Sequence, residues 1–190
     1  DPAIAMMGRY LGIESSHRLG GQHELDQRYF ARIDALNYTL AHDDGQNVAG
    51  FHQADIVLLG ISRTSKTPTS LYLANRGYKT ANLPLVPGVP LPPDVEALEG
   101  MSGGPLVVGL IASPERIVQI RRNRLMALHE TQETDYVAED RVRDEMASAR
   151  KLFLMKGWPM IDVSRRAIEE TAAAVIALLN RRRNEGLTLA

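Results

Sequence analysis

Ala54-Asp55-Ile56-Val57-Leu58-Leu59-Gly60-Ile61-Ser62-Arg63-Thr64-Ser65-Lys66-Thr67-Pro68-Thr69-Ser70-Leu71-Tyr72-Leu73-Ala74-Asn75 is the stretch on which the fold turns. Its first part, Ala54 to Leu59, is a compact apolar run closed by Gly60. A run this short, rich in branched residues and ended by a glycine, predicts a buried strand of a parallel sheet. From Pro68 to Asn75 the pattern turns helical, with proline in the first turn, where a missing N–H costs nothing. Gly77 predicts its stop. Between the two lies Gly60-Ile61-Ser62-Arg63-Thr64-Ser65-Lys66-Thr67, which fits G-x-x-x-x-[G]-K-[ST] at all but one position, Ser65 standing for the second glycine. Such a loop turns backbone N–H groups toward anionic oxygens, supplies a lysine to neutralise an outer phosphate and a hydroxyl for Mg²⁺. The strand–loop–helix context is the one the motif requires. Ser65 carries a cost if its position needs positive φ.

Working outward, Thr80 to Val86 predicts a second strand, and the prolines at 84, 87, 90, 92 and 93 a stiff, extended connector. Leu106 to Ala112 predicts a third strand. Ser113-Pro114-Glu115 then predicts a helix start, with a serine cap, proline at the first position and an acid in the first turn. That helix is expected to run to about Leu128, followed by a polar loop over 130–135. Val142, Met146, Ala149 and Phe153 mark a further helix, and Met160 to Val163 a fourth strand. Ser164 is expected to cap a last helix with the stripe Ile168, Ala172, Val175, Ile176 and Leu179, with Arg181 to Arg183 at its negative end. Alternation of strand and helix argues for an α/β fold of the P-loop type, a parallel sheet with helices on both faces. Upstream, Leu25, Tyr29, Ile33 and Leu36 predict a helix over 24–36. Tyr38 to Ala41 reads as a short strand closed by His42-Asp43-Asp44-Gly45. Residues 1–22, broken by glycines, read as an irregular segment, and 23–190 as the catalytic domain.

Composition narrows the function classes. The chain of 190 residues carries 22 Lys and Arg against 23 Asp and Glu, a net charge of -1. That balance gives no footprint for nucleic acid and no polybasic membrane patch. Aromatics at 5% argue against a base-stacking platform. The absence of Cys excludes disulfides, thiolate nucleophiles and zinc–thiolate sites, and fits a reducing, cytoplasmic setting. The longest apolar run, Ala172 to Leu179, falls well short of the ~18 residues of a membrane helix.

The stretch Asp55 to Ala74 closely resembles the bifunctional kinase/pyrophosphorylase regulatory proteins, which act on pyruvate, phosphate dikinase and on phosphoenolpyruvate synthase. The family's loop admits serine where this chain has Ser65. Tyr29-Phe30-Ala31-Arg32-Ile33 with His42-Asp43-Asp44-Gly45, Pro114 to Ile117 with Ile120 to Leu125, and Gly157 to Arg166 with Glu169 to Ala172 are similar to further segments of that family. Asn75-Arg76-Gly77 and Pro84 to Pro92 look more like the dikinase regulators than the synthase regulators. Family members are longer at the N-terminus, and this chain begins at Asp1, so it is expected to be the catalytic part of a larger protein. The resemblance implies transfer of a phosphoryl group from ADP to a threonine of the dikinase, which inactivates it. It implies reversal by inorganic phosphate with release of pyrophosphate.

Phosphoryl transfer is positioning plus charge stabilisation. Gly60, Ile61, Ser62, Arg63, Thr64, Ser65, Lys66 and Thr67 are the expected phosphate clamp. Thr67 or Ser62, with a carboxylate such as Asp44, is expected to hold Mg²⁺. Asp43 and Asp44 are the favoured bases, in a tight turn at a strand end; Asp162 is the next candidate, and Asp55 reads as a strand-entry residue. Arg63 faces phosphate or target, and Arg121 and Arg124, three apart on one helix face, with Arg116, are candidates for transition-state charge. His42 and His23 are weaker candidates for proton transfer. The competing readings are the same chemistry on the synthase, a P-loop kinase for a small metabolite, and a non-catalytic nucleotide-sensing module. A metabolite kinase needs its own lid, for which 125–137 is the available segment, and a sensor has no use for the aspartate pair. The oligomeric state stays open, a homodimer included.

Overall fold

The structure, a computed structural model, describes residues 2–12, 27–101, 103–127 and 135–188. The chain divides into two compact units, Asp1–Phe30 and Ala31–Ala190. The first contains a helix, α1 (Pro2–Leu11), where the sequence predicted irregular chain. Proline at the first position suits a helix start, and Gly8 is carried as an interior residue.

The second unit is built on four parallel strands, β1 (Ile56–Gly60), β2 (Thr80–Pro84), β3 (Leu106–Ile111) and β4 (Met160–Asp162), in the order β2-β1-β3-β4. Ile56 pairs with both Thr80 and Leu106, and Gly109 with Met160. The chain leaves β1 for one side of the sheet and returns from β2 to the other. The switch point therefore lies between β1 and β3, and the crevice beyond their carboxyl ends is where ligands of such sheets bind.

Alternation along the strands assigns the faces. Val57, Leu59, Ala81, Leu83 and Val107 pack with α5 (Pro114–Ala127) and α6 (Glu139–Met155) through Ile117, Val142, Met146, Ala149 and Phe153. Ile56, Leu58, Val108 and Leu110 face the other way, onto Leu73 of α3 (Lys66–Asn75) and Ala172, Val175 and Leu179 of α7 (Ile168–Thr188). A Cβ at Gly109 would run into the Phe153 ring, so the glycine lets that ring lie flat on β3.

Several local expectations change. Residues 38–41 are the last turn of α2 (Gln27–Ala41), not a strand. Ala35 and Thr39, four apart, are buried together. Thr39 Oγ1 accepts the N–H of Thr80 at the start of β2, 3.1 Å away. Leu25 and His23, on which part of the upstream reading rested, lie outside the described residues, as does 128–134. Asp135–Val137 is a 3₁₀ turn, and within the proline-rich connector a short helix, α4 (Pro93–Glu96), interrupts the extended chain. Helix α3 starts two residues before Pro68 and ends in a two-bond cap: Gly77 N–H to Ala74 O, and Tyr78 N–H to Leu73 O, with Gly77 at φ 88°. Ser113 caps α5 as predicted, its Oγ accepting the Arg116 N–H.

Ser164 does not cap α7, which starts at Ile168; Glu170 instead accepts the Ala167 N–H at 3.0 Å. Ile168 is exposed rather than core. Because α7 continues to Thr188, Arg182 and Arg183 are not at its end: they reach the Pro105 carbonyl and Asp55 at the amino ends of β3 and β1. Asp55, which also accepts the Lys79 N–H, is the strand-entry residue the sequence predicted.

Candidate active site

Beyond the carboxyl end of β1, residues 60–67 form a tight loop whose shape follows from a few contacts. A Cβ at Gly60 would sit 2.6 Å from Thr64 Oγ1 and 2.7 Å from the Leu110 carbonyl, so only glycine lets the loop fold back on β3. The buried Thr64 hydroxyl donates to Ile61 O at 2.9 Å, and Lys66 Nζ donates to the same carbonyl at 3.0 Å. Arg63 and Ser65 both take left-handed backbone, φ 74° and 58°. Ser65 thus carries the cost that its replacement of glycine implied. The N–H groups of Lys66 and Thr67, in the first turn of α3, have no acceptor within the helix.

Lys66 is buried, with 7% of its surface exposed. Burial is the main cause that brings its pKa down to about 8. Asp44 and Asp43 pull it back up, while Arg63 and Arg121 push it further down. The aspartates feel Lys66 because all three line one cavity of about 550 Å³, together with Ser62, Ser65 and Thr67 of the loop and Arg124 of α5.

What holds the aspartate turn there is Asn82. Its backbone N–H donates to His42 O at 3.1 Å, and its carbonyl accepts the Gly45 N–H at 2.9 Å. Its side-chain Oδ1 accepts the Asp44 N–H at 3.1 Å, and Nδ2 donates to Asp43 and to Ser70 Oγ of α3. The turn is therefore an extension of β2, not of a strand at 38–41. Asp44 at φ 51° and Gly45 at φ 79° make the reversal, and a Cβ on Gly45 would meet Leu83 at 2.9 Å. His42 is structural: its ring stacks on Tyr38 at 3.9 Å, and Nδ1 lies 2.7 Å from the Tyr38 carbonyl.

The arginines separate. Arg124 lines the cavity. Arg121, expected on the same face to meet phosphate, is 1% exposed and engaged elsewhere. It forms a two-pronged pair with Glu145 of α6 (2.6 and 3.2 Å), donates to the Tyr136 carbonyl and stacks on the Tyr136 ring. The Tyr136 hydroxyl sits 3.2 Å from Ser62 Oγ and accepts from Arg63 Nε at 3.4 Å. Arg121 therefore acts on the loop through Tyr136 and through its charge. Asp162 is not among the cavity residues; it accepts from the Ser164 N–H and hydroxyl. Partial burial alone would raise its pKa, but these Ser164 bonds, with Arg150 and Arg166, hold it below the ordinary value.

A family model described as kinase/pyrophosphorylase matches residues 1–176. The chain belongs to the kinase/pyrophosphorylase family. Relatives carrying the name "Putative pyruvate, phosphate dikinase regulatory protein" include that of Hyphomonas neptunium, 56% identical over 96% of this chain and 64% of the relative. That of Caulobacter vibrioides is 56% identical over 95% of this chain and 56% of the relative. That of Afipia carboxidovorans is 54% identical over 97% and 66%. The chain thus spans less than two thirds of each of these relatives.

In this kinase/pyrophosphorylase chain the sequence reading had missed three contributors: Asn82, Tyr136 and Glu145. Only Asn82 left a signal, a lone amide in the middle of an apolar strand, where burial demands partners. No helix of the described residues is long and apolar enough to cross a membrane. Nor do they contain a group of three or more His, Asp or Glu side chains able to cage a metal. Among the oxygen-bearing side chains that share the cavity are Thr67, Ser62, Asp43 and Asp44. This set fits Mg²⁺, which binds through one or two carboxylates plus phosphate oxygens and keeps several waters.

Proposed function

We propose that this chain is the phosphotransferase part of a bifunctional regulator of pyruvate, phosphate dikinase, working in the cytoplasm, and that residues 60–67 are a phosphate-binding P-loop. The catalytic unit in this reading is 23–190. The observation that carries it is the meeting of Lys66 with Asp43 and Asp44 in one cavity at the carboxyl edge of the sheet. Family membership supports the target, and the name of the relatives supports the dikinase over the synthase.

In the forward direction a threonine hydroxyl oxygen attacks the β-phosphorus of ADP. The bond from that phosphorus to the bridging oxygen breaks, and AMP leaves. The hydroxyl proton passes to Asp43 or Asp44. In the reverse direction an oxygen of inorganic phosphate attacks the phosphothreonine phosphorus, the threonine oxygen leaves and takes the proton back, and pyrophosphate departs. One carboxylate serves both directions by microscopic reversibility. Lys66 and the N–H groups of the loop neutralise the phosphoryl in transit, with Arg63 and Arg124 facing its oxygens. Thr67 and the other aspartate would hold Mg²⁺, which supplies further charge neutralisation when bound.

The test is incubation of the protein with ADP and purified dikinase, with the threonine phosphorylation read by mass spectrometry. Addition of phosphate should then remove the mark and release pyrophosphate. Transfer from ATP but not ADP, or no transfer to the dikinase while a small metabolite is phosphorylated, would overturn the reading.

A further inference from the structure

A second cavity of about 310 Å³ adjoins the loop cavity and differs from it in charge. Arg63 and Ser65 of the loop form one wall and Arg116 of α5 another. Arg165 and Arg166, in the turn between β4 and α7, complete it. Four arginines line it, Arg116, Arg165 and Arg166 among them exposed, and none of the described lining residues is acidic. By contrast, the loop cavity mixes Lys66 and arginines with the two aspartates. Arg63, Ser65 and Ile120 line both, so the two lie side by side.

The arginine cavity is framed by hydrogen bonds between its elements. Val163 N–H donates to Ile111 O at 2.8 Å, continuing β4 along β3. Ser164 Oγ accepts the Ser113 N–H at 2.8 Å, locking the turn that carries Arg165 and Arg166 to the start of α5. The acids nearby are engaged at its margin: Asp162 accepts from Ser164, and Glu170 from the Ala167 N–H. Arg116 also donates to Gln119. Like charges gathered by a hydrogen-bonded scaffold call for an anion, and the planar fork of arginine suits phosphate oxygens.

Reaction chemistry says which phosphate. The two directions exchange one phosphoryl group between threonine and a second phosphate, which is the α-phosphate of AMP in one direction and inorganic phosphate in the other. ADP and pyrophosphate are therefore the same diphosphate unit with and without the nucleoside. Two adjoining subsites fit the two halves of that unit. We propose that the arginine cavity is the seat of the second phosphate, taken by the AMP phosphate or by inorganic phosphate but not by both, while the Lys66 loop holds the phosphoryl group in transit. This rests on the phosphoryl-transfer reading above, yet it is tested by binding alone.

The experiment is isothermal titration of the protein with AMP, with inorganic phosphate and with adenosine, and of AMP into protein saturated with phosphate. Phosphate should compete with AMP and leave adenosine untouched. Arg165→Gln/Arg166→Gln should weaken AMP and phosphate in parallel, by about tenfold or more, with adenosine affinity unchanged as the control for folding. Arg116→Gln, outside that turn, should weaken the same two ligands. Failure of phosphate to weaken AMP binding would overturn the proposal, as would variants that lose one ligand and keep the other or that keep both. These outcomes are independent of whether the dikinase is a substrate, which the phosphorylation assay reads separately.

Discussion

The side-chain amide of Asn82 donates to the carboxylate of Asp43 across 2.5 Å, joining the middle of β2 to a turn 39 residues earlier in the chain. Asn82 is fully buried, and the same side chain also accepts from the Asp44 N–H and reaches Ser70 in the helix that follows the loop. One amide thus ties the aspartate turn and helix α3 to the same strand, which is how both come to line one cavity.

Asn82→Ala is expected to leave the Asp44 N–H without its acceptor and Asp43 without its orienting donor. Loss of buried partners of this kind costs about 1–3 kcal/mol, to be read by urea denaturation. The rate of threonine transfer should fall more than ADP affinity does. A folded Asn82→Ala protein with unchanged rate would remove Asn82 from the positioning of the aspartates.

Asp43→Asn and Asp44→Asn are expected to keep nucleotide binding, and one of them to lose about 10²-fold or more in rate, the usual scale for removing a general acid–base group. The loss should be seen in both directions of transfer. Single-turnover kinetics with dikinase would show it, and two fully active variants would clear both residues of a proton-transfer role.

Lys66 titrates at about 8 in the folded protein against 10.5 for an ordinary lysine, because burial disfavours its charge. Between these values the unfolded chain binds more protons than the folded one, so stability rises with pH across that window. The penalty is fully present below about pH 8. Lys66→Met should therefore gain stability at pH 7, on the order of 1–3 kcal/mol, and lose that advantage as the pH approaches 10.5. The same lysine should make ADP affinity of the native protein fall as pH rises above about 8, since the β-phosphate it would hold needs the protonated form. Thermal denaturation and titration calorimetry across pH 7–10 read the two effects, and a flat pH profile in both would contradict the assignment.

Arg121 and Glu145 form a pair with side-chain exposures of 1% and 15%. Removing one partner strands a buried charge, so Glu145→Ala should cost about 3–5 kcal/mol. Arg121→Met/Glu145→Leu together should cost far less. The double variant should still transfer phosphate more slowly than the native protein, because Tyr136 loses its stacking partner beside Ser62 and Arg63. A double variant as unstable as Glu145→Ala would show that the pair contributes more than mutual neutralisation.

How much of this was legible in the chain depends on the range over which each feature is determined. Strand β1, the loop and α3 are set by neighbours in sequence: an apolar run, a glycine that must meet a carbonyl, and a lysine entering a helix. The face of α6 follows likewise, since Val142, Met146, Ala149 and Phe153 recur at helical spacing and all are buried. Local signals misread 38–41, because Tyr38 and Leu40 suit a strand by propensity while burial of Ala35 and Thr39 against β2 makes the segment helical. They also left Arg121 and Arg124 equivalent. Three residues apart on one helix, the two differ only in what packs opposite: Glu145 and Tyr136 meet Arg121, while Arg124 faces the cavity. By itself the sequence determined the parallel α/β layout and the strand–loop–helix run from β1 through residues 61–65 into α3, since periodicity and a short glycine-bounded spacing are properties of adjacent residues. Only the tertiary structure decided which charges share the site, because Asp43, Lys66, Asn82 and Tyr136 lie far apart along the chain, and hydrogen bonds between distant segments bring them together.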